Sequence, residues 1–291
     1  MSNLLGFDSV KSSLLASYQN KKLPHAILLL GKKGIGKASF AKEFALQITG
    51  SNPLANPDIL LIEKEAEKKE IGVEKIRSIK EFSNQTTAIS ESKFIVIDSA
   101  CELTKSAANA VLKILEEPRP NNFLILVAHN LHRVLPTIRS RCQTVKISDL
   151  LHEDFIKIVK DDAEFLAEIC DNSPAEAIKL GAELSRFYAL FLRSILNKKL
   201  SEELLKKVAD KTYPFQVTEK SCEFLFNRLG KFSRGIELKF FFEEEKVFLT
   251  LAKKDIFPIY DETLILLNKT QSLHLDKKLT LINIFNLLTN D

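Results

Sequence analysis

The stretch Ala26-Ile27-Leu28-Leu29-Leu30-Gly31-Lys32-Lys33-Gly34-Ile35-Gly36-Lys37-Ala38-Ser39 decides how the rest of the chain is read. A short apolar run leads into a glycine-rich loop, and a helical pattern begins near Lys37. In that context glycines let backbone N–H groups turn inward around phosphate oxygens, the helix N-terminus adds positive potential, and a lysine supplies a mobile charge. Gly31, Gly34, Gly36 and Lys37 are therefore candidate nucleotide-binding residues. The pattern G-x-x-x-x-G-K-[ST] also wants a hydroxyl after the lysine to hold Mg²⁺, and Ala38 stands there. Ser39 comes one residue late, about 100° further round the helix, and is expected to point elsewhere. These residues describe a phosphate cradle whose metal ligand is missing.

Outward from this loop, unbroken apolar runs recur at Ile59–Ile62, Phe94–Ile97 and Phe123–Val127, with a last short one at Val145-Lys146-Ile147. Helical stretches separate them at Lys37–Thr49, Val73–Ser83 and Thr104–Glu117, and a further helix is expected within residues 1–25. Apolar runs bounded by polar residues suit strands buried on both faces, so residues 1–150 are expected to form an α/β domain around a parallel sheet. Past Leu150 the strands stop. Residues 151–190 are expected to form a small helical lid domain and residues 191–291 an all-α domain of amphipathic helices. A break is expected between Pro174–Phe187 and Tyr188–Leu200.

The totals bound the function classes. The chain has 291 residues, 45% hydrophobic and 27% charged, as an ordinary globular protein has. The net charge of +4 is too small to name nucleic acid as a partner. Residues 1–150 carry 21 Lys+Arg against 15 Asp+Glu, and the remainder carry 21 against 23, so the first half is mildly basic. That suits a nearby polyphosphate or DNA backbone, and equally an ordinary solvated surface. Four scattered cysteines without a C-x-x-C pair argue for reduced thiols and no metal site, and Gly50–Asp58 contains none of the cysteines a zinc insert would need. His129 and His132 lack carboxylate or thiolate support and read as loop residues. Met1-Ser2-Asn3 begins no signal peptide and no apolar stretch reaches membrane length, so a cytoplasmic location without membrane contact is expected.

Three further stretches carry chemistry. Phe94-Ile95-Val96-Ile97-Asp98 is a buried strand ending in a carboxylate, where a phosphate-loop protein places its second Mg²⁺-holding group. Asp98 joins the candidate nucleotide-binding residues; the alternative is a turn-capping Asp. Ser99 follows, and its hydroxyl cannot act as a general base near neutral pH without an activating partner. In Lys105–Pro118, Ala107, Ala108, Val111, Leu112 and Leu115 share one helical face, and Glu116 and Glu117 sit at the negative end of the helix dipole. Such a pair answers a basic group, within this chain or on a neighbour, or is simply exposed. In Leu135–Gln143, Pro136 suits the first position of a short helix that pushes Arg139 and Arg141 to its far end. Two arginines on a rigid stub are surface decoration, or a guanidinium presented to phosphate outside this chain.

Gly34-Ile35-Gly36-Lys37, Ala107–Pro118 and Leu135–Gln143 together resemble the clamp-loader subunits of the AAA+ family. The resemblance covers roughly residues 4–180, and Ser140-Arg141-Cys142 is its most specific element. It implies a phosphate-loop AAA+ domain, a lid domain and a helical oligomerisation collar in a subunit of the DNA polymerase III holoenzyme. It implies that Arg141 acts in trans as an arginine finger, with Glu116, Glu117, Ser140, Arg141 and Cys142 at the interface. The implied partners are the other loader subunits, motor ATPases of gamma/tau type and a delta-type subunit, in a hetero-oligomer. Primer-template DNA would be met through the assembled loader, and the sliding clamp indirectly. The chain departs from the motor subunits at Ala38 and Ser99, at Ala128 where they carry a sensor Thr or Ser, and at Glu176 where a lid arginine is expected. A subunit that hydrolyses nothing itself is the leading expectation; no cofactor is required, and weak ATP or ADP binding stays open. The alternatives are an active motor ATPase and a purely structural scaffold.

Overall fold

Side-chain alternation along the strands explains why they read as continuous apolar runs. The computed structural model describes residues 4–50, 56–65 and 68–290. Strands β1 (Ala26–Leu30), β2 (Ile59–Glu63), β3 (Lys93–Asp98), β4 (Asn122–Ala128) and β5 (Gln143–Lys146) form one parallel sheet in the order β2-β3-β4-β1-β5. One set of side chains, including Leu28, Ile95, Ile97, Leu124 and Leu126, packs under helices α3 (Val73–Asn84), α4 (Lys105–Glu116) and α5 (Pro136–Arg139). The intervening set, Ile27, Leu29, Phe94, Val96, Ile125 and Val127, packs under α1 (Asp8–Gln19) and α2 (Lys37–Thr49). Both faces are buried, so neither alternate set can be polar.

Local chemistry sets the element ends. Thr104 caps α4, its hydroxyl accepting from the Ala107 N–H at 3.2 Å, a contact worth about 1 kcal/mol. Pro136 opens α5, where its missing N–H costs nothing. At the start of β2 the buried Asp58 accepts from the N–H groups of Ala88, Ile89 and Ser90 at 2.8–2.9 Å, which pulls its pKa below the usual range despite burial. Neighbouring Lys93, also buried, donates to the carbonyls of Phe82 and Gln85 and lies over the Phe82 ring.

The chain divides into two compact units, Met1–Ile158 with Asn172–Ala175, and Val159–Asp171 with Glu176–Asp291. After α6 (His152–Ile158) the second unit is helical: α7 (Ala163–Ile169), α8 (Pro174–Leu196), α9 (Glu202–Ala209), α10 (Phe215–Ser233), α11 (Glu244–Leu251), α12 (Ile256–Leu273) and α13 (Lys277–Thr289). The helix break expected near residue 188 is absent. α8 runs unbroken through it because Phe187, Tyr188, Phe191 and Leu192 are all fully buried in a continuous stripe. The heart of this unit is ionic as well as aromatic. Arg228, 1% exposed, grips both carboxylate oxygens of the fully buried Glu244 at 2.8 Å. Tyr188 donates to the same carboxylate at 2.6 Å and the Phe241 N–H at 2.9 Å. Arg228 also reaches Glu168 and the Lys239 carbonyl, and its guanidinium lies against Phe224 and Phe241.

Candidate functional site

At the C-terminal edge of the sheet, β1 runs into the glycine loop and α2 starts from it. Gly31 donates its N–H to Ala128 O, and a Cβ there would stand 2.8 Å from Ile147 O, so only glycine fits between β1 and the end of β5. Gly34 and Gly36 have φ of +81° and +99°, the left-handed region that turns successive N–H groups to one side. Lys37 is 4% exposed and donates its ammonium to Gly31 O at 2.7 Å and to Lys32 O. Burial pulls its pKa down to about 8, opposed by the charges of Asp98 and Cys101. Asp98 ends β3, and desolvation together with Glu63 and Glu102 raises its pKa, an effect that Lys37 and Lys33 oppose.

These groups surround a cavity of about 470 Å³. Gly34, Gly36, Lys37 and Asp98 line it; Gly31 supports it from below. The sequence reading missed several of its walls, among them the charged Glu63, Lys64 and Glu102, because they come from the end of β2, the residue after it and the short turn after β3 and carry no motif. Lys64 and Glu102 pair at 3.3 Å. One expectation needs correction. Ser39, expected to point away, also lines the cavity, since the whole first turn of α2 opens onto it. His129 lies in the loop after β4, as expected, and lines the cavity too, with Nδ1 3.5 Å from the Ser99 hydroxyl; burial and the nearby Lys33 and Lys37 push its pKa down.

The lid position is corrected as well. Ala175 lines the cavity and donates its N–H to Gly34 O at 3.2 Å, whereas Glu176 pairs with Lys220 at 3.0 Å. The residue at the phosphate loop is thus a methyl group, and the carboxylate is satisfied elsewhere. Ser173 fills the space above Gly34, where an added Cβ would come within 2.0 Å of its hydroxyl. The donor set fits a phosphate anion, through loop N–H groups and Lys37. Ala38 has no oxygen to offer a Mg²⁺ at the position after the lysine; the side-chain oxygens in the lining are those of Ser39, Glu63, Asp98, Ser99 and Glu102, and the Ser99 hydroxyl accepts from the Cys101 N–H at 3.1 Å. Among the described residues no group of three or more His, Cys, Asp or Glu is placed to hold a metal ion.

The arginine lies at the other edge of the sheet. β5 pairs with β1 in register from Ile27↔Gln143 to Leu30↔Lys146, so the residues just before Gln143 sit by the start of β1. That pairing alone spans about 10 Å. Arg141, with 37% of its side chain exposed, therefore cannot serve its own phosphate loop. Its guanidinium donates to Glu116 at 2.9 Å and to Thr137 O at 3.0 Å, and Ser140 donates to the same carbonyl at 3.1 Å. The basic group that answers Glu116 is therefore in this chain. Glu117 stays exposed at the C-terminus of α4. Cys142 packs beside the core, and burial raises its thiol pKa to about 11, so it is a packing group rather than a nucleophile.

Comparison with known proteins supplies relatives for this chain. The family model described as DNA polymerase III, delta subunit matches residues 7–151. DNA polymerase III subunit delta′ of Pseudomonas aeruginosa is 32% identical over 172 residues, taking in 53% of this chain and 50% of that one. Subunit delta′ of Bacillus subtilis is 31% identical over 195 residues, 59% of this chain and 58% of that one. The chain thus spans about half the length of the curated relatives it matches. A crystal structure of a DNA polymerase III gamma-subunit-related protein from Thermotoga maritima covers 98% of both chains, with a TM-score of 0.53 and 25% identity. The parallel-sheet unit and these matches agree: through residues 7–151 the chain belongs to the family described as DNA polymerase III, delta subunit, alongside subunits named delta′.

Proposed function

We propose that this subunit works in DNA replication as a non-hydrolysing member of the clamp loader and lends Arg141 to the nucleotide site of a neighbouring motor subunit. The observation that carries the reading is the separation of the two functional edges. The phosphate loop holds its own lysine and lacks a metal-binding hydroxyl, while the arginine stands at the opposite edge, part-exposed and aimed by Glu116. A guanidinium fixed by one carboxylate and one carbonyl keeps further N–H groups for a phosphate oxygen. The second unit supports assembly: Leu249, Phe257 and Ile265 expose large apolar side chains on α11 and α12, a surface that suits the collar contacts of a hetero-oligomer. Primer-template DNA and the sliding clamp are met through that assembly.

Reconstituting the loader with Arg141→Ala and measuring DNA-stimulated ATP turnover tests this reading. Turnover at the one site that receives the arginine should fall by about 10³, the low end of what arginine fingers contribute. Lys37→Ala in this subunit should leave turnover unchanged within a factor of about two. Undiminished turnover with Arg141→Ala removes the finger, and loss with Lys37→Ala makes this chain a motor.

A further inference from the structure

A second cavity, of about 510 Å³, opens between α3 and α4; it shares no residue with the phosphate-loop cavity, and it reaches the sheet edge where β1 and β4 begin, at His25 and Asn122. Its two banks are single helical stripes. Val73, Ile76, Arg77, Lys80 and Ser83 line it from α3, and Ser106, Ala110, Lys113 and Ile114 from α4 with Glu117 just past its end, spaced mostly at three and four residues along each helix. The floor is apolar, Ile79 and Leu115 with Ile95 and Leu124 of the sheet. The rim is cationic, with Arg77, Lys80, Lys113 and Arg119 against one carboxylate, Glu117. Lys80 and Lys113 face each other's helix without an ion pair among the described residues, whereas Arg77 is 3.8 Å from Glu74 and Arg119 reaches Ser83 O at 3.4 Å.

Two buried polar atoms at the sheet end of this groove strengthen the case. His25 Nε2 and Asn122 Nδ2 lack any hydrogen-bond partner, and both residues line the cavity. A buried amide donor left unpaired is destabilising, so an acceptor brought to it is favoured. An apolar floor, free cations at the lip and an idle donor below describe a guest with hydrophobic anchors and carboxylates.

We propose that the α3–α4 groove binds an acidic peptide segment of a partner protein, with one or two aliphatic or aromatic anchors seated between Ala110 and Ile79. A nucleic-acid strand would use the cations but not the floor, and among the described residues no phenylalanine, tyrosine or tryptophan lines the groove to stack a base. An acidic amphipathic segment uses both.

The test is selection of 12-residue peptides from a random display library on the full chain, followed by fluorescence anisotropy of the enriched sequences. The wild-type protein should enrich peptides that combine Asp or Glu with Leu, Ile or Phe. The double variant Lys80→Glu/Lys113→Glu should weaken them tenfold or more, and raising salt should weaken wild-type binding too. Ala110→Trp fills the floor without changing charge and should produce a similar loss. Unchanged thermal melting of both variants shows that they fold. Selection without acidic enrichment, or binding indifferent to both variants, overturns the proposal. So does a 30-nucleotide oligomer that binds wild type and is lost with the charge reversal but not with Ala110→Trp, since the groove's cations would then serve nucleic acid.

Discussion

Two arginine–glutamate pairs separate what this chain spends on folding from what it keeps for others. In the helical unit Arg228 and Glu244 are 1% and 0% exposed, bidentate at 2.8 Å, and ringed by Tyr188, Phe224 and Phe241. In the α/β unit Arg141 and Glu116 are 37% and 51% exposed and share one contact at 2.9 Å. The chemistry is the same, yet the roles are opposite. A buried pair has exchanged its water for fixed partners and is bound to the fold. A surface pair contributes little to stability, and its guanidinium remains exchangeable. The conspicuous arginine in a core is therefore the structural one, and the plain one just past a short surface helix is the one left available for the role proposed above.

Breaking the buried pair gives the largest stability effect. Arg228→Met leaves Glu244 charged and uncompensated and should cost about 3–5 kcal/mol in urea unfolding. Arg228→Met/Glu244→Leu should recover much of that, because removing both charges also removes the uncompensated one. A loss below about 1 kcal/mol for Arg228→Met would erase the contrast. Asp58→Ala comes next. It strips three backbone N–H groups of a buried acceptor and should cost about 2–3 kcal/mol.

A third measurement sharpens the contrast between the sheet edges. Lys37 should titrate near pH 8 by NMR of labelled lysine, well below an ordinary lysine at 10.5. Asp98→Asn should lower it further, since Asp98 favours the ammonium. The sign for stability follows: the folded protein releases this proton before the unfolded chain does, so stability rises with pH between about 8 and 10.5. The smallest effect belongs to Glu116→Gln, which should change stability by under about 1 kcal/mol. In the reconstituted loader it should lower turnover less than Arg141→Ala does, because the arginine loses its aim and not its charge.

The α/β unit was legible residue by residue. β1 and α2 fall at the bounds the sequence implied, Ala26–Leu30 and Lys37–Thr49, and the other strands are longer or shifted by one or two residues. Burial on both faces makes each strand an unbroken apolar run, a signal that needs no partner to be seen. The helical unit was harder. The single helix α8 stands where the sequence pattern implies two, since short amphipathic stretches look alike until packing joins them.

Sequence alone determined the parallel-sheet class, the glycine loop with Lys37, the absence of a hydroxyl at Ala38, and Arg141 as the residue to watch, because each rests on residue type at a fixed local spacing. Tertiary structure decided that Arg141 answers to Glu116, that Ala175 rather than Glu176 meets the phosphate loop, and that Arg228 closes on Glu244 from another helix. Those outcomes depend on which side chains meet across the fold, and distances between elements far apart in the chain are set by packing that no local pattern encodes.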